Sequence, residues 1–330
     1  MITLDAAFSV IDSHTAGHPT RVILSGVPKL SGKSVRECRD DFRNRFDHLR
    51  SALLHEPRGH AAMVGLVPVH SDIADFGAFF ISSYVYLDMC GHGTIGFARS
   101  LSFTGQISPA TGESFTLETP AGVVTVGLVW TQDGSLQSVR IKNVPSYIGL
   151  DGLMVNVDGV GQVMTDIVYG GMWYALVDAD RLGLVMNSDH ASNLLRTGWA
   201  IKQAIKEKID GIALFDDAPA PSVLFYSEHS ADRATHFLVL ESNKFDRSPC
   251  GTGTAARMTH LLQSRRLDAG QTYHARNIFG VEFEAKLDAM TQVAEKEAVI
   301  IEIEGNAFIT STQTIFFENG DPLSQGFLAR

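Results

Sequence analysis

One pattern is written twice in this chain: Cys90-Gly91-His92-Gly93-Thr94 and Cys250-Gly251-Thr252-Gly253-Thr254. Each copy follows an apolar, strand-like run and leads into a helical one. Each half of the chain must therefore fold so that a cysteine meets the start of a helix. The first N–H groups of a helix have no intrahelical partner and carry the positive end of the macrodipole. Such an end attracts an anion and lowers a nearby thiol's pKa from about 8.5 toward neutrality. The chain holds only three cysteines. Two of them in one frame predict a single site flanked by two thiols, one from each half.

The segments around the motifs repeat the same grammar. In the first half, strands are expected at Phe8–Ile11 and Arg21–Leu24, joined by the turn-rich Ser13–Pro19 segment. Val35, Cys38, Phe42, Phe46, Leu49 and Leu53 then mark a helical stripe that opens with a Ser34/Glu37 capping box. Cys38 lies on that stripe and reads as an inert buried thiol. Strands at Ala62–Val69 and Phe76–Leu87 deliver the chain to Cys90, where Phe76, Phe79, Phe80 and Tyr84 read as sheet core. A helix to about Phe103 follows, ending at Gly105. Strands are then expected at Ser114–Glu118, Val123–Val129 and Leu136–Ile141.

The second half predicts strands at Gln162–Val168 and Trp173–Val177, a helix over Ala191–Lys208, and strands at Ile212–Phe215, Val223–Tyr226 and Phe237–Glu241. A helix from about Thr252 to Arg266 follows Cys250. Strands at Ile278–Ala285, Ala298–Ile303 and Ala307–Phe316 close the chain. The repeat is too irregular for a solenoid and suits two duplicated α/β domains facing a cleft. A length of 330 residues also favours two domains over one.

The net charge of −10, without a basic run to offset it, argues against nucleic-acid and anionic-membrane partners. It does not exclude a small anionic substrate, because a local helix terminus outweighs distant surface charge. The odd cysteine count fits a reducing compartment, and the acidic N-terminal segment lacks the basic region of a signal peptide. The longest apolar run, Phe76–Leu87, is too short to span a bilayer. A cytoplasmic location is expected, and a homodimer is compatible with the sequence.

Four chemistries use two cysteines. A structural metal would need further ligands, and no C-x-x-C or H-x-x-x-H pair supplies them, so no metal site is expected. A redox pair normally sits in a short C-x-x-C, which the separation of these two disfavours. Acyl transfer needs one thiol and would leave the second unexplained. Acid–base catalysis, with one thiolate removing a proton and one thiol returning it from the opposite face, uses both. Inverting a stereocentre without a cofactor makes that demand. Helix-terminal amides would hold a substrate carboxylate and stabilise the charge that develops as the Cα proton leaves. With no dinucleotide or Walker fingerprint present, no cofactor is expected.

Met89-Cys90-Gly91-His92-Gly93 and Asp246-Arg247-Ser248-Pro249-Cys250-Gly251-Thr252-Gly253-Thr254 resemble the two catalytic motifs of the proline racemase family. That family includes proline racemases, 4-hydroxyproline 2-epimerases and trans-3-hydroxy-L-proline dehydratases. Asp12-Ser13-His14-Thr15, Pro19-Thr20-Arg21 and Glu56-Pro57-Arg58-Gly59-His60 are similar to further family blocks. The resemblance implies a diaminopimelate-epimerase-like fold of two pseudo-symmetric α/β domains with the active site in the interdomain cleft. The C-terminal strands would return to complete the first domain, so that residues 1–125 plus 288–330 carry Cys90 and 126–287 carry Cys250.

By the same resemblance, Cys90 and Cys250 are the acid/base thiols and the substrate is a small imino acid. Gly91, His92, Gly251 and Thr252 would bind its carboxylate through their amides, and Asp246 its ring nitrogen. Family 4-hydroxyproline epimerases often carry a His where Ser222 stands here; gaps in the intervening loop could shift the match to His229 or His236. Ser222 is therefore the candidate for the ring-recognising position, and proline and 4-hydroxyproline both stay open. The dehydratases place Thr at the position of Cys250, so Cys at both places favours epimerisation over dehydration. A non-catalytic imino-acid-binding protein on the same scaffold is the remaining alternative. Asp246 could also simply cap the Ser248-Pro249 turn. Arg247, His14, Arg58 and His60 read as structural.

Overall fold

The computed structural model describes residues 3–215 and 218–329. The chain divides into two compact units, Met1–Ile141 with Asn306–Arg330, and Lys142–Gly305. These boundaries fall later than 125/126 and 287/288. Hairpin ladders are the reason: Val126 pairs with Ile141, and Glu284 with Glu304, and neither ladder is split.

In chain order the first unit holds β1 (Leu4–Thr15), β2 (His18–Ser25), α1 (Val35–Leu54), β3 (Val64–Val69), β4 (Phe76–Ser82), β5 (Tyr86–Leu87), α2 (Gly91–Phe103), β6 (Ser114–Thr119), β7 (Gly122–Trp130) and β8 (Leu136–Lys142, whose last residue begins the second unit). The second holds β9 (Tyr147–Val157), β10 (Gly161–Tyr169), β11 (Trp173–Asp178), α3 (Ala191–Ile209), β12 (Ser222–Ser230), β13 (Arg233–Glu241), β14 (Lys244–Asp246), α4 (Gly251–Gln263), β15 (Tyr273–Asn277), β16 (Glu282–Val293) and β17 (Lys296–Gly305). Then β18 (Ala307–Glu318) returns to the first unit.

Within the first unit the strands run β18-β1-β2-β3-β4-β6-β7-β8, antiparallel except for the parallel pairs β2/β3 and β4/β6. Within the second they run β9-β10-β11-β12-β13-β15-β16-β17, with parallel pairs β11/β12 and β13/β15. The two orders match strand for strand, with β5 and β14 as short additions to β4 and β13. The parallel pairs fall where a helix or a motif crosses over, as parallel neighbours require. One difference is permutation: β9 precedes β10 in the chain, whereas its counterpart β18 comes from the C-terminus.

The first long helix of each unit builds a core. In α1, Ser34 accepts the amide of Glu37 while Glu37 reaches back to the Ser34 amide, and Val35, Phe42, Leu49, Leu53 and Leu54 are buried. They pack on Phe8, Val10, Ile23, Phe79 and Ile81. In α3, Leu194, Ile201, Ile205 and Ile209 cover Val177, Val223, Phe225, Phe237 and Val239. Gly198 permits this approach, since a Cβ there would lie 2.5 Å from Val239. Packing of this kind supplies most of the stability of such helices.

Several local expectations are corrected. Ile212–Phe215 is not a strand; Ala213–Phe215 form a 3₁₀ turn. Phe76–Leu87 is broken because Ser82 Oγ accepts the amides of Tyr84 and Val85 and turns the chain. Ile278–Ala285 straddles a turn in which Asn277 Oδ1 accepts the amides of Phe279 and Val281. The edge strand β9 was unforeseen, its face half exposed and its apolar alternation weak.

Candidate active site

The two motifs occupy the same place in their units: Cys90 is the N-cap of α2 after β5, and Cys250 the N-cap of α4 after β14. Neither cysteine forms a disulfide, and both are only 6% exposed. The fifth motif residue locks each turn. Thr94 is fully buried, its amide and hydroxyl both donating to the Cys90 carbonyl at 2.9 Å. The Thr254 amide donates to the Cys250 carbonyl at 2.8 Å and its hydroxyl to the Pro249 carbonyl. Glycine at the fourth position keeps the space beside the sulfur clear. A Cβ on Gly93 would lie 3.2 Å from Cys90 Sγ, and one on Gly253 the same distance from Cys250 Sγ.

Around Cys90, the His92 ring stands beside the sulfur, with Nδ1 at 3.4 Å and Nε2 at 3.7 Å. Thr15, at the end of β1, donates its hydroxyl to the His92 carbonyl at 2.9 Å. His18, at the start of β2 and 1% exposed, packs edge-on against the His92 ring with centroids 4.4 Å apart. The hairpin β1–β2 thus holds both the backbone and the ring of the third motif residue. Gly91 is open, with no atom near the position a Cβ would take.

Around Cys250 the arrangement is denser. The Gly253 amide donates to Sγ at 3.3 Å, and Tyr174 Oη of β11 lies 3.5 Å from the same sulfur. Tyr174 Oη is also 2.5 Å from Thr252 Oγ1, which is 3.6 Å from Sγ. Asp246 Oδ1 accepts both the amide and the hydroxyl of Ser248, and Ser248 Oγ accepts the Cys250 amide at 3.1 Å. Asp246 therefore does cap the Ser248-Pro249 turn. Cys250 itself is held at φ +65°, a left-handed conformation unusual for a side chain with a Cβ. Burial, and then the Asp246 carboxylate, push its thiol up to about 12, while Tyr174, Gly253 and Thr252 pull it down.

Behind Cys250, the His236 ring is fully buried between two partners. Nδ1 lies 3.2 Å from the Pro249 carbonyl and Nε2 2.8 Å from Tyr273 Oη. A carbonyl only accepts, so Nδ1 carries the proton and Nε2 accepts from the tyrosine. Burial lowers the imidazole to about 3. His236 is thereby a support of the Cys250 loop. His229 is exposed and bonded to Thr235 at 2.8 Å, at the far end of its hairpin. Ser222 opens β12, 5% exposed, with its Cα paired in parallel register with Tyr174. That register puts it on the strand next to the residue touching Cys250.

Other residues have structural partners. Arg21 forms a bidentate pair with Asp12 at 2.8 Å and donates to the carbonyls of Leu53 and Arg58. Arg58 pairs with Asp321 at 2.6 Å and stacks on Phe317, tying the C-terminal segment down. His14 accepts the Gly17 amide and His60 the Ala62 amide. Arg247 stacks on Phe245. Cys38 is half-buried and its thiol is raised by burial and by Asp41, Glu37 and Glu118. Tyr174 and His18 were not singled out from the sequence; His236 was named only as an alternative to Ser222 for ring recognition, and Ser248 only as part of the second motif and its turn. His18, in the turn-rich segment before β2, carried a local signal, whereas Tyr174 carried none.

Fold and motifs together define a class: an α/β isomerase scaffold in which each unit sets a cysteine at a helix start. Comparison with known proteins makes it specific. The proline racemase family profile matches residues 10–328, and the chain belongs to that family. It is 39% identical to a 4-hydroxyproline 2-epimerase of Streptosporangium roseum, over 97% of this chain and 98% of the relative. It is 35% identical to a proline racemase of Clostridioides difficile, over 98% of each. A hydroxyproline epimerase from Agrobacterium vitis, solved with bound trans-4-hydroxy-L-proline, superposes with a TM-score of 0.85 at 27% identity, covering 100% of this chain and 97% of that one. A PhzF-family protein of Bacillus anthracis, at 13% identity and TM-score 0.64 over 94% of this chain and 99% of its own, shares the diaminopimelate-epimerase-like fold. Among the described residues no helix is long and apolar enough to cross a membrane.

Proposed function

We propose that this protein inverts the α-carbon of proline or 4-hydroxyproline, converting L-proline to D-proline or trans-4-hydroxy-L-proline to cis-4-hydroxy-D-proline. The observation that carries this reading is the paired placement of Cys90 and Cys250, buried, at equivalent helix starts in two units of matching topology. One thiolate takes the Cα proton, forming its S–H bond as the C–H bond breaks. The other thiol gives its proton to the opposite face and is left as thiolate. The two exchange roles with the enantiomer bound, and no cofactor enters the step.

Amides of Gly91, His92, Gly251 and Thr252 hold the carboxylate, where helix starts favour negative charge and stabilise what develops at the α-carbon. Asp246 receives the ring nitrogen. A cationic nitrogen beside that carboxylate would cancel its upward push on the Cys250 thiol, so substrate binding would ready the thiol for proton transfer. Ser222, paired in register with Tyr174, would sense the ring substituent.

Incubation with L-proline and with trans-4-hydroxy-L-proline in D₂O tests the reading. Deuterium at Cα and formation of the inverted product are expected for at least one of them. No deuteration of either would overturn it.

A further inference from the structure

Tyr174 is 2% exposed and makes, with Thr252 and Cys250, a closed triangle of polar atoms with sides of 2.5, 3.5 and 3.6 Å. A buried phenol of this kind normally finds a hydrogen-bond partner, and here its partners are the thiol and the hydroxyl two residues on. The first unit uses the equivalent strand in the same way: His18 of β2 packs on His92, the third residue of its motif, as Tyr174 of β11 contacts Thr252, the third of the other. The third residue of each motif thus meets a strand-borne group, and at Cys250 two hydroxyls lie within 3.6 Å of the sulfur.

We propose that Tyr174 is a positioning residue for proton transfer at Cys250, its O–H holding the sulfur and stabilising the thiolate. The inference rests on Cys250 being one of the two proton-transfer thiols. In the thiolate state Thr252 O–H donates to Tyr174 Oη and Tyr174 O–H donates to Sγ, while the Gly253 amide gives a second bond. When the sulfur takes the Cα proton, the new S–H bond uses a thiolate electron pair and both hydroxyls keep their direction. The chain therefore serves both protonation states without reorganising, which is the economy expected of preorganised donors. Burial holds the phenol well above its ordinary range, so it stays a donor throughout. The groups facing the sulfur are Tyr174 and Thr252, the Gly253 amide, and Asp246; His236, neutral, stands behind Pro249.

In a Cys38→Ser/Cys90→Ser background, Cys250 is the sole thiol, and its alkylation by iodoacetamide can be followed across pH by mass spectrometry. Adding Tyr174→Phe should slow alkylation about tenfold at each pH below the plateau, the equivalent of about one pKa unit. Loss of an oxygen opens access to the sulfur, so a role in packing alone would leave the rate unchanged or raise it. Either result would overturn the proposal. Thr252→Val breaks the same chain at its other hydroxyl and should slow alkylation in the same sense, which decides the matter if Tyr174→Phe does not fold. Deuterium wash-in by the unmodified protein is a separate reading. Exchange with unchanged alkylation sinks only this inference, whereas slowed alkylation without exchange leaves Tyr174 as a stabiliser of the Cys250 thiolate and overturns the proposed reaction and the proton-transfer role that rests on it.

Discussion

Gly253 donates its amide to Cys250 Sγ at 3.3 Å and lies so close beneath it that a methyl group on its Cα would sit 3.2 Å from the sulfur. Glycine and thiol are therefore one unit: the helix start supplies the hydrogen bond, and the missing side chain lets the sulfur reach it.

Gly253→Ala should displace the thiol while improving helix propensity. Overpacking and propensity oppose each other, leaving stability within about 2 kcal/mol of the parent. Turnover, sensitive to sub-ångström placement, should fall on the order of a hundredfold. Gly93→Ala should behave alike, because its Cβ would press on Phe80 at 3.1 Å and Cys90 Sγ at 3.2 Å. Melting curves beside racemisation rates check both.

Cys90→Ser and Cys250→Ser should each lower inversion by roughly 10²- to 10⁴-fold, since each removes one of the two proton-transfer groups. Polarimetry on both enantiomers reads the loss. Full activity in either variant would end the two-thiol assignment.

His236 should make the protein acid-sensitive. Its folded-state pKa is depressed to about 3 from 6.5, so its contribution to stability is present above 6.5 and lost as pH falls toward 3. Protonation would also set an Nε2–H against its bond with Tyr273. Denaturant midpoints should therefore fall across that window, and His236→Gln should flatten the slope. An unchanged slope in the variant would place the acid sensitivity elsewhere.

Arg257 of α4 is fully buried, ion-paired with Glu228, 2.8 Å from His260 Nδ1, and 3.8 Å over the Tyr226 ring. Among the described residues, Arg257→Ala leaves Glu228 with the surface Arg266 as its remaining ion-pair partner, so a loss of about 3 kcal/mol is expected. Arg257→Met, which keeps most of the packing, should cost less. Equal midpoints for the two in urea titrations would show that charge rather than volume dominates.

Local information made the two motifs, the Ser34/Glu37 capping box and the long helices legible, because caps and apolar stripes act over three or four residues. The duplicated α/β plan followed from the two Cys-Gly-x-Gly-Thr frames, and so did Cys90 and Cys250 as candidates. The Ser82 and Asn277 turns escaped because a side chain bonding two amides ahead can interrupt an apolar run without altering its pattern. Ser222 was legible as a position, but its neighbour Tyr174 became evident only from the parallel register of β11 and β12.

The sequence by itself thus determined where each thiol meets a helix start, since five consecutive residues carry all that such a turn requires. Only the tertiary structure decided what stands behind the thiols. Tyr174, His236 and His18 reach their motifs through strand pairing across long stretches of chain, and β18 takes beside β1 the place that β9 takes beside β10. Register is set by burial over a whole sheet, so no short segment encodes it.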